Sequence, residues 1–345
     1  MTADRHRAGT GRESPSTGST PSGEEFARAT EPFRRELLAH CYRMSGSVDE
    51  AEDLVQETYL RAWRSYDRFE GRSSLRVWLY RIATNACLTA LSGRSRRVLA
   101  SGLAGPSDDP DGEAAAAGPE VRWLEPLPDA LVSPDSEDPS RIAAINASLR
   151  LALIASLQCL PVRQRAVLIL RDVLDLPAAE VAQMLDTSTA AVKSALQRAR
   201  GRLSEASPQA EELTEPGEPE ARALLDRYMT AFENGDVLLL EQVLRDDATL
   251  ESTASGAWFA GKRNCLRLIR RFLGAPDLYR LIATAANGQP AAGAYRRGGD
   301  GTYEAFAIVV LTTTTTGIAR IALFNDPALF AMFGLAPSLR QPLRD

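Results

Sequence analysis

Residues 160–203, LPVRQRAVLILRDVLDLPAAEVAQMLDTSTAAVKSALQRARGRL, admit few folds. Pro161 and Pro177 suit the first turns of helices, where a missing N–H costs nothing. In PAAEVAQML, Ala178, Val181, Ala182 and Leu185 make one apolar stripe. DTST is a short polar turn, with Thr187 or Ser188 as the cap of the next helix. In that helix Val192, Leu196, Ala199 and Leu203 recur at helical spacing, which turns Ala190, Lys193, Ser194, Gln197 and Arg198 outward. No carboxylate occurs from Thr187 to Ser204, whereas Lys193, Arg198, Arg200 and Arg202 do. A short helix, a tight turn and a basic second helix form the arrangement that enters a major groove. Gln, Lys and Arg can read base edges there, and Ser and Thr can bond to phosphate. The plainer alternative is a basic helical hairpin with no base contacts.

A second helical block lies upstream, and its charge is of the other kind. On a wheel of about 100° per residue, Ala51, Leu54, Val55, Thr58, Tyr59 and Ala62 of DEAEDLVQETYLRAW gather on one side. Glu50, Asp53, Gln56, Glu57, Leu60 and Arg64 lie opposite. The first face fits a helical core. The second is either a solvated face at an acidic helix start or a docking face for a basic partner, with Leu60 as its apolar anchor.

GRSSLRVWLYRIATNACLTAL, residues 71–91, follows, with a Ser pair able to cap a helix. Trp78, Leu79, Ile82 and Ala86 are expected on one face, and Arg76, Tyr80 and Thr84 on the other. Arg94, Arg96 and Arg97 come after it. Arginines beside aromatic rings suit single-stranded nucleic acid, with charge along the phosphates and ring faces for unstacked bases. For Trp78 alone, simple core packing is the competing role.

The charge is unevenly spread: 13 Arg against 9 Asp/Glu from Arg28 to Arg97, and 9 Lys/Arg against 4 Asp/Glu from Arg141 to Leu203. Val98 to Asp138 holds ten carboxylates and one Arg, with GPSDDPDG and PLPDALVSPDSEDP inside it. Basic blocks around an acidic spacer imply a partner with surfaces of both signs. The expected organisation is a disordered tail (1–25), a helical domain (26–97), an acidic linker (98–140), a second helical domain (141–205), a linker (206–219), an α+β domain (220–336) and a short tail (337–345). Cys41, Cys87, Cys159 and Cys265 form no CxxC, and the two histidines are His6 and His40, so buried thiols are expected rather than a zinc site or disulfides. No signal peptide or membrane span is expected, since no run of about 18 apolar residues occurs.

Together, DEAEDLVQETYLRAW, FEGRSSLRVWLYRIATNACL and the 160–203 stretch resemble bacterial RNA polymerase sigma factors of the extracytoplasmic-function (ECF) group. The resemblance covers about residues 26–205. It implies a multidomain chain with two all-α sigma domains, a region 2 bundle and a region 4 helix-turn-helix. It implies binding to core RNA polymerase and to promoter DNA, in the cytoplasm, without a cofactor or a catalytic role. Carried over, Asp53, Gln56, Glu57 and Leu60 would contact the clamp helices of the polymerase β′ subunit. Arg72, Ser73, Trp78, Arg81 and Asn85 would work on the minus-10 element. Thr189, Ala190, Lys193, Ser194, Gln197, Arg198 and Arg200 would face the minus-35 element. The acidic linker resembles the one that crosses the polymerase active-site channel.

FENGDVLLLEQVLRDDATLE and the strand-rich run ending in IALFNDPALFAMFGL resemble a SnoaL-like domain of the NTF2-like cone fold. Such a domain implies regulation of the sigma unit, through a small ligand or an intramolecular contact. For an enzyme in the cone, the possible pocket acids are Asp247, Glu251, Glu304 and Asp326, joined by Tyr228 and Tyr303; Asp247 and Asp326 serve equally well as turn or cap residues, and no pair stands at a spacing that forces catalysis. Two other readings stay open: a stand-alone helix-turn-helix regulator, against which the acidic face argues, and a cone-fold enzyme fused to a DNA-binding module, which the lack of His in that domain weakens.

Overall fold

The computed structural model describes residues 23–71, 73–112, 118–133, 138–206 and 217–340. The first helical unit contains α1 (Gly23–Thr30), α2 (Arg34–Ser45), α3 (Val48–Ser65) and α4 (Leu75–Leu91). Gly46 ends α2 in the left-handed region (φ 74°), and a Cβ there would meet Leu124 Cδ1 at 2.8 Å. Ser47 then caps α3 by accepting from Glu50 N, and Ser74 caps α4 by accepting from Val77 N. Leu37, Leu38, Ala51, Leu54, Val55, Leu79 and Ala83 close the bundle core.

One expected face of α4 is corrected. Tyr80 and Thr84 are buried at 1% and 0% exposure, while Trp78 is only half-buried. The reason is α2, which covers the side of α4 that the sequence pattern leaves polar. There Tyr80 stacks edge-on to His40, and the Thr84 hydroxyl lies 3.0 Å from His40 Nε2. Burial lowers the pKa of His40 to about 3, so its imidazole is neutral. Arg76 stays at the rim, where it is bonded to Glu36.

The second unit holds α5 (Pro139–Leu149), α6 (Leu151–Gln158), α7 (Val162–Leu168), α8 (Ala178–Met184) and α9 (Thr189–Ala206). Its core is continuous with that of the first unit, since α7 packs on α4 and α2, and α6 on α2. Buried Arg165 of α7 donates to the carbonyl oxygens of Met44, Gln158 and Leu160. A cation at the end of α2 thus ties the two units together.

Much of the stretch expected as a linker is packed. Val98 and Leu124 exchange backbone bonds with Arg122 and Val98, each at 2.9 Å. Leu124, Leu127 and Val132 are buried in the shared core. The expected alanine-rich part of the linker, residues 113–117, lies outside the described residues. So do 1–22 of the expected tail, most of the second linker (207–216) and 341–345.

The C-terminal domain begins with α10 (Glu218–Asn234) and α11 (Val237–Val243). After them come β1 (Leu244–Ser252), β2 (Trp258–Ala260), α12 (Lys262–Leu273), β3 (Tyr279–Ala286), β4 (Gln289–Arg297), β5 (Tyr303–Thr314), β6 (Gly317–Phe324), α13 (Leu329–Met332) and β7 (Ser338–Leu339). The sheet order is β2-β1-β6-β5-β4-β3, with β7 beside β5. The β1–β6 pair is parallel and the rest are antiparallel. Val309 and Leu311 of β5 join the core under α10–α12, while Ile308 and Val310 join the core on the other face. Burial on both faces explains the unbroken apolar run in this strand. Only Thr312–Thr314 of the five-threonine run belong to β5; Thr315 and Thr316 make the turn into β6.

Candidate functional site

Three surfaces and one cavity carry the candidate residues. On α3, Asp53 and Gln56 are exposed, Leu60 is 51% exposed, and Glu57 is half-buried with an ion pair to Arg61 at 2.6 Å. An exposed i,i+4 pair of this kind is weak, so Glu57 can exchange Arg61 for a partner's cation. Glu50 does not belong with them. It is turned into a cluster with Arg94 (3.1 Å), Arg97 (3.4 Å) and Arg122. Arg97 also holds Glu125 at 2.9 Å, and Glu125 accepts from Val48 N. The basic run after α4 is thus partly spent inside the fold, pinning the linker to the start of α3.

On α4, Trp78, Arg81 and Asn85 follow one another at helical spacing; Arg81 and Asn85 are exposed, as is Ser73 before the helix. Trp78 sits 5.0 Å from the Phe69 ring and 6.2 Å from Tyr66, an aromatic cluster open to solvent on one side. Arg72 lies outside the described residues.

On α9, Ser188 caps the helix by accepting from Ala191 N at 3.1 Å. Val192 and Ala199 are buried against α7 and α8, and Thr189, Ala190, Lys193, Ser194, Gln197 and Arg198 are all exposed. Arg198 donates to Ser194 Oγ. Arg200 lies at the flank of this row, in a two-bond pair with Asp172 at 2.7 and 2.9 Å.

Sequence reasoning missed the residue that joins these units. Asn287 and Gly288, both left-handed (φ 57° and 65°), form the two-residue turn between β3 and β4. An Asn-Gly pair between strands is a hairpin signal, so the turn was findable, though its docking was not. Asn287 is fully buried. Its Nδ2 donates to Tyr42 Oη (2.9 Å) and to the Leu149 carbonyl (2.7 Å), and its Oδ1 accepts from Leu127 N (2.9 Å). Beside it Asp129 accepts from Gly288 N at 2.8 Å, and Gln289 accepts from Leu151 N at 3.1 Å.

The cone interior holds a cavity of about 300 Å³ lined by Tyr228, Phe232, Phe259, Tyr279, Phe306 and other apolar residues. The possible pocket acids Asp247, Glu251, Glu304 and Asp326 are not among its lining. Strand alternation explains Glu251: Leu250 and Ser252 face the cavity, and Glu251 points the other way, accepting from Ser101 N and facing Arg320 at 3.6 Å. Asp247 is exposed and paired with Arg245, Asp326 caps the turn at Ala328, and Glu304 is exposed. Tyr303 is buried elsewhere, donating to the Asp277 carbonyl. Tyr228 does line the cavity, and burial pushes its hydroxyl pKa above the usual tyrosine range.

Comparison with known proteins fits this geometry. Residues 30–97 match sigma-70 region 2, and residues 150–203 match sigma-70 region 4. The chain is 50% identical over 329 residues to ECF RNA polymerase sigma factor SigG of Mycobacterium tuberculosis, covering 94% of this chain and 88% of that protein. It is 26% identical over 180 residues to ECF RNA polymerase sigma factor SigW of Bacillus subtilis, covering 52% of this chain and 87% of that protein. The crystal structure of the M. tuberculosis ECF sigma factor SigJ aligns with a TM-score of 0.58 at 23% identity, over 90% of this chain and all of that one. That likeness is one of fold, from the helical units through the C-terminal sheet domain.

Proposed function

This chain belongs to the ECF RNA polymerase sigma factors, and from that premise we propose how its surfaces divide the work. It binds core RNA polymerase and directs promoter-specific transcription initiation. It acts in the cytoplasm and leaves RNA synthesis to the polymerase, with no catalysis of its own; no helix among its described residues is long and apolar enough to cross a membrane.

Asp53, Gln56, Glu57 and Leu60 form the polymerase-docking face toward the β′ clamp helices. Charge complementarity speeds and orients the encounter, and Leu60 supplies the apolar anchor. Trp78, Arg81 and Asn85, with Ser73 and Arg72 before the helix, engage the opened minus-10 strand. Thr189, Ala190, Lys193, Ser194, Gln197 and Arg198 enter the minus-35 major groove, and Arg200 supports them from the flank.

The C-terminal domain regulates this activity, and one observation carries that reading: α4 and α9 belong to one continuous core. Two promoter elements some 25 base pairs apart lie about 85 Å from each other along B-DNA. Helices of 17 and 18 residues are about 26 and about 27 Å long, and packed in one core they cannot reach both elements. Activity therefore requires the two units to part. The Asn287 hairpin, bonded to Tyr42, Leu127 and Leu149 at once, opposes that parting.

The test is run-off transcription with purified core polymerase on a random-promoter library. Transcripts selected at two separated elements are expected from the full chain. Output no greater than that of core polymerase alone, from both the full chain and the opened variant Asn287→Gly, refutes the assignment.

A further inference from the structure

We propose that the cavity of the cone domain is a sensing site for a small aromatic compound without positive charge, with the linker segment 104–112 as its lid. The proposal rests on the reading that the C-terminal domain controls the sigma unit, and names what controls the domain.

A well-packed interior has few voids larger than a water molecule. This cavity, about 300 Å³, is at the lower end of the size range of ligand sites. Its walls carry a chain of aromatic rings: Tyr228 to Phe232 at 4.7 Å, Phe232 to Tyr279 at 6.1 Å and Tyr279 to Phe306 at 5.8 Å. Rings at these distances present faces and edges that suit another aromatic system.

The polar groups select against a positive charge. Among the described residues the lining contains no carboxylate, and its one cation, Arg271, donates through Nη1 to Pro110 O at 2.7 Å and to Gly112 O at 3.0 Å. Ser252 donates to Asn325 Oδ1 at 2.7 Å, which leaves the Asn325 amide nitrogen as a donor for one ligand oxygen. A small aromatic compound with an oxygen acceptor and no positive charge fits this set.

The mouth is where the linker is held. Trp258 Nε1 donates to Ala104 O at 2.7 Å, and Ser107 N donates to Trp258 O at 2.8 Å. Arg267 pairs with Asp111. Gly112 itself lines the cavity. A ligand that reaches Gly112 gains contact only when the lid is in place, so it binds the closed form more tightly. By linkage the lid gains the same amount from the ligand. A filled cavity therefore keeps the linker clamped and lowers transcription.

The test uses the full-length protein and the neutral dye N-phenyl-1-naphthylamine. A saturable fluorescence rise is expected. It should weaken at least fivefold in Leu268→Trp and, independently, in Ala294→Leu, which fill the cavity from α12 and β4. Saturating dye should slow cleavage by an Asp/Glu-specific protease at Asp108, Asp109 and Asp111 at least threefold. Arg271→Gln, at an exposed position that leaves the core intact, should speed that cleavage and weaken the dye. Absence of saturable binding, or binding indifferent to both filling variants, overturns the site. Cleavage unchanged by bound dye overturns the lid. These readouts involve no polymerase, so they fail separately from the transcriptional role of the C-terminal domain.

Discussion

The Asn287 side-chain amide donates to the Tyr42 hydroxyl at 2.9 Å, joining residues 245 positions apart. Tyr42 in turn donates to Glu125 O at 2.7 Å. A hairpin tip of the C-terminal domain, a core helix of the first unit and the linker thus share one buried chain of bonds. Buried polar groups in such a chain are costly to leave unpaired.

Asn287→Gly should open this junction. Glycine keeps the left-handed backbone available, so the hairpin survives while the amide is lost. Leu127 N, Leu149 O and the Tyr42 hydroxyl each lose a partner. At about 1–3 kcal/mol for an unsatisfied buried group, the open population should rise at least tenfold. Small-angle scattering should show a larger radius, and run-off transcription should increase. Tyr42→Phe should act in the same direction and more weakly, since only the hydroxyl is removed.

The docking face makes a different prediction. Asp53→Arg with Glu57→Arg reverses two charges on an exposed face and disturbs only the Glu57–Arg61 pair. Thermal stability should change by no more than about 1 kcal/mol. Affinity for core polymerase should fall by roughly 10- to 100-fold, as for the loss of central interface contacts. Leu60→Asp should match it without changing a cation pair. Biolayer interferometry against core polymerase measures both, and unchanged affinity assigns the face to solvent.

On α9 the two cations should separate by their salt behaviour. Lys193→Ala should weaken promoter binding across all sequences and reduce the salt slope by about one. Arg198→Ala should cost about 1–3 kcal/mol and relax specificity at one base pair. Arg200→Ala should change binding least of the three, because its guanidinium sits at the flank in an exposed pair with Asp172, and such a pair adds little stability. Fluorescence anisotropy over a salt series distinguishes the three.

The helical units were legible because their residues answer to one local rule. Ser74 and Ser188 cap where the sequence offers a cap, and the α9 stripe of Val192 and Ala199 is buried as its spacing requires. Tyr80 and Thr84 were misplaced because a helix covered on more than one side has no single buried face. Glu50 looked like its exposed neighbours until Arg94, Arg97 and Arg122 came back to it from 44 to 72 residues away. Leu124, Leu127 and Val132 lie among prolines and carboxylates without periodicity, so nothing local marks them as core. Glu251 is a possible pocket acid by residue type alone, whereas the alternation of β1 sends it to the opposite face.

Docking of the C-terminal domain should strengthen in mild acid, through Asp129. Burial raises the Asp129 pKa from 3.8 to about 6, partly offset by the bond from Gly288 N. In an undocked linker the carboxyl returns toward its ordinary value. Between those values the docked form holds the proton more tightly and binds more protons than the undocked one. Lowering the pH through 6 toward 4 therefore favours docking, and raising it through 6 ionises a buried carboxyl and opposes docking. The gap from 3.8 to about 6 sets an upper bound of about 3 kcal/mol. His40 works in the other direction on the first unit. Its depressed pKa of about 3 supplies stability above pH 6.5 that is lost progressively as the pH falls toward 3. The measurement should therefore stay between pH 7.5 and 5 and read compaction rather than unfolding. Small-angle scattering should show the wild-type chain contracting over that range. Asp129→Asn keeps an acceptor for Gly288 N without a charge, so it should be compact throughout and nearly independent of pH. Equal pH dependence in both proteins would remove Asp129 as the titrating group.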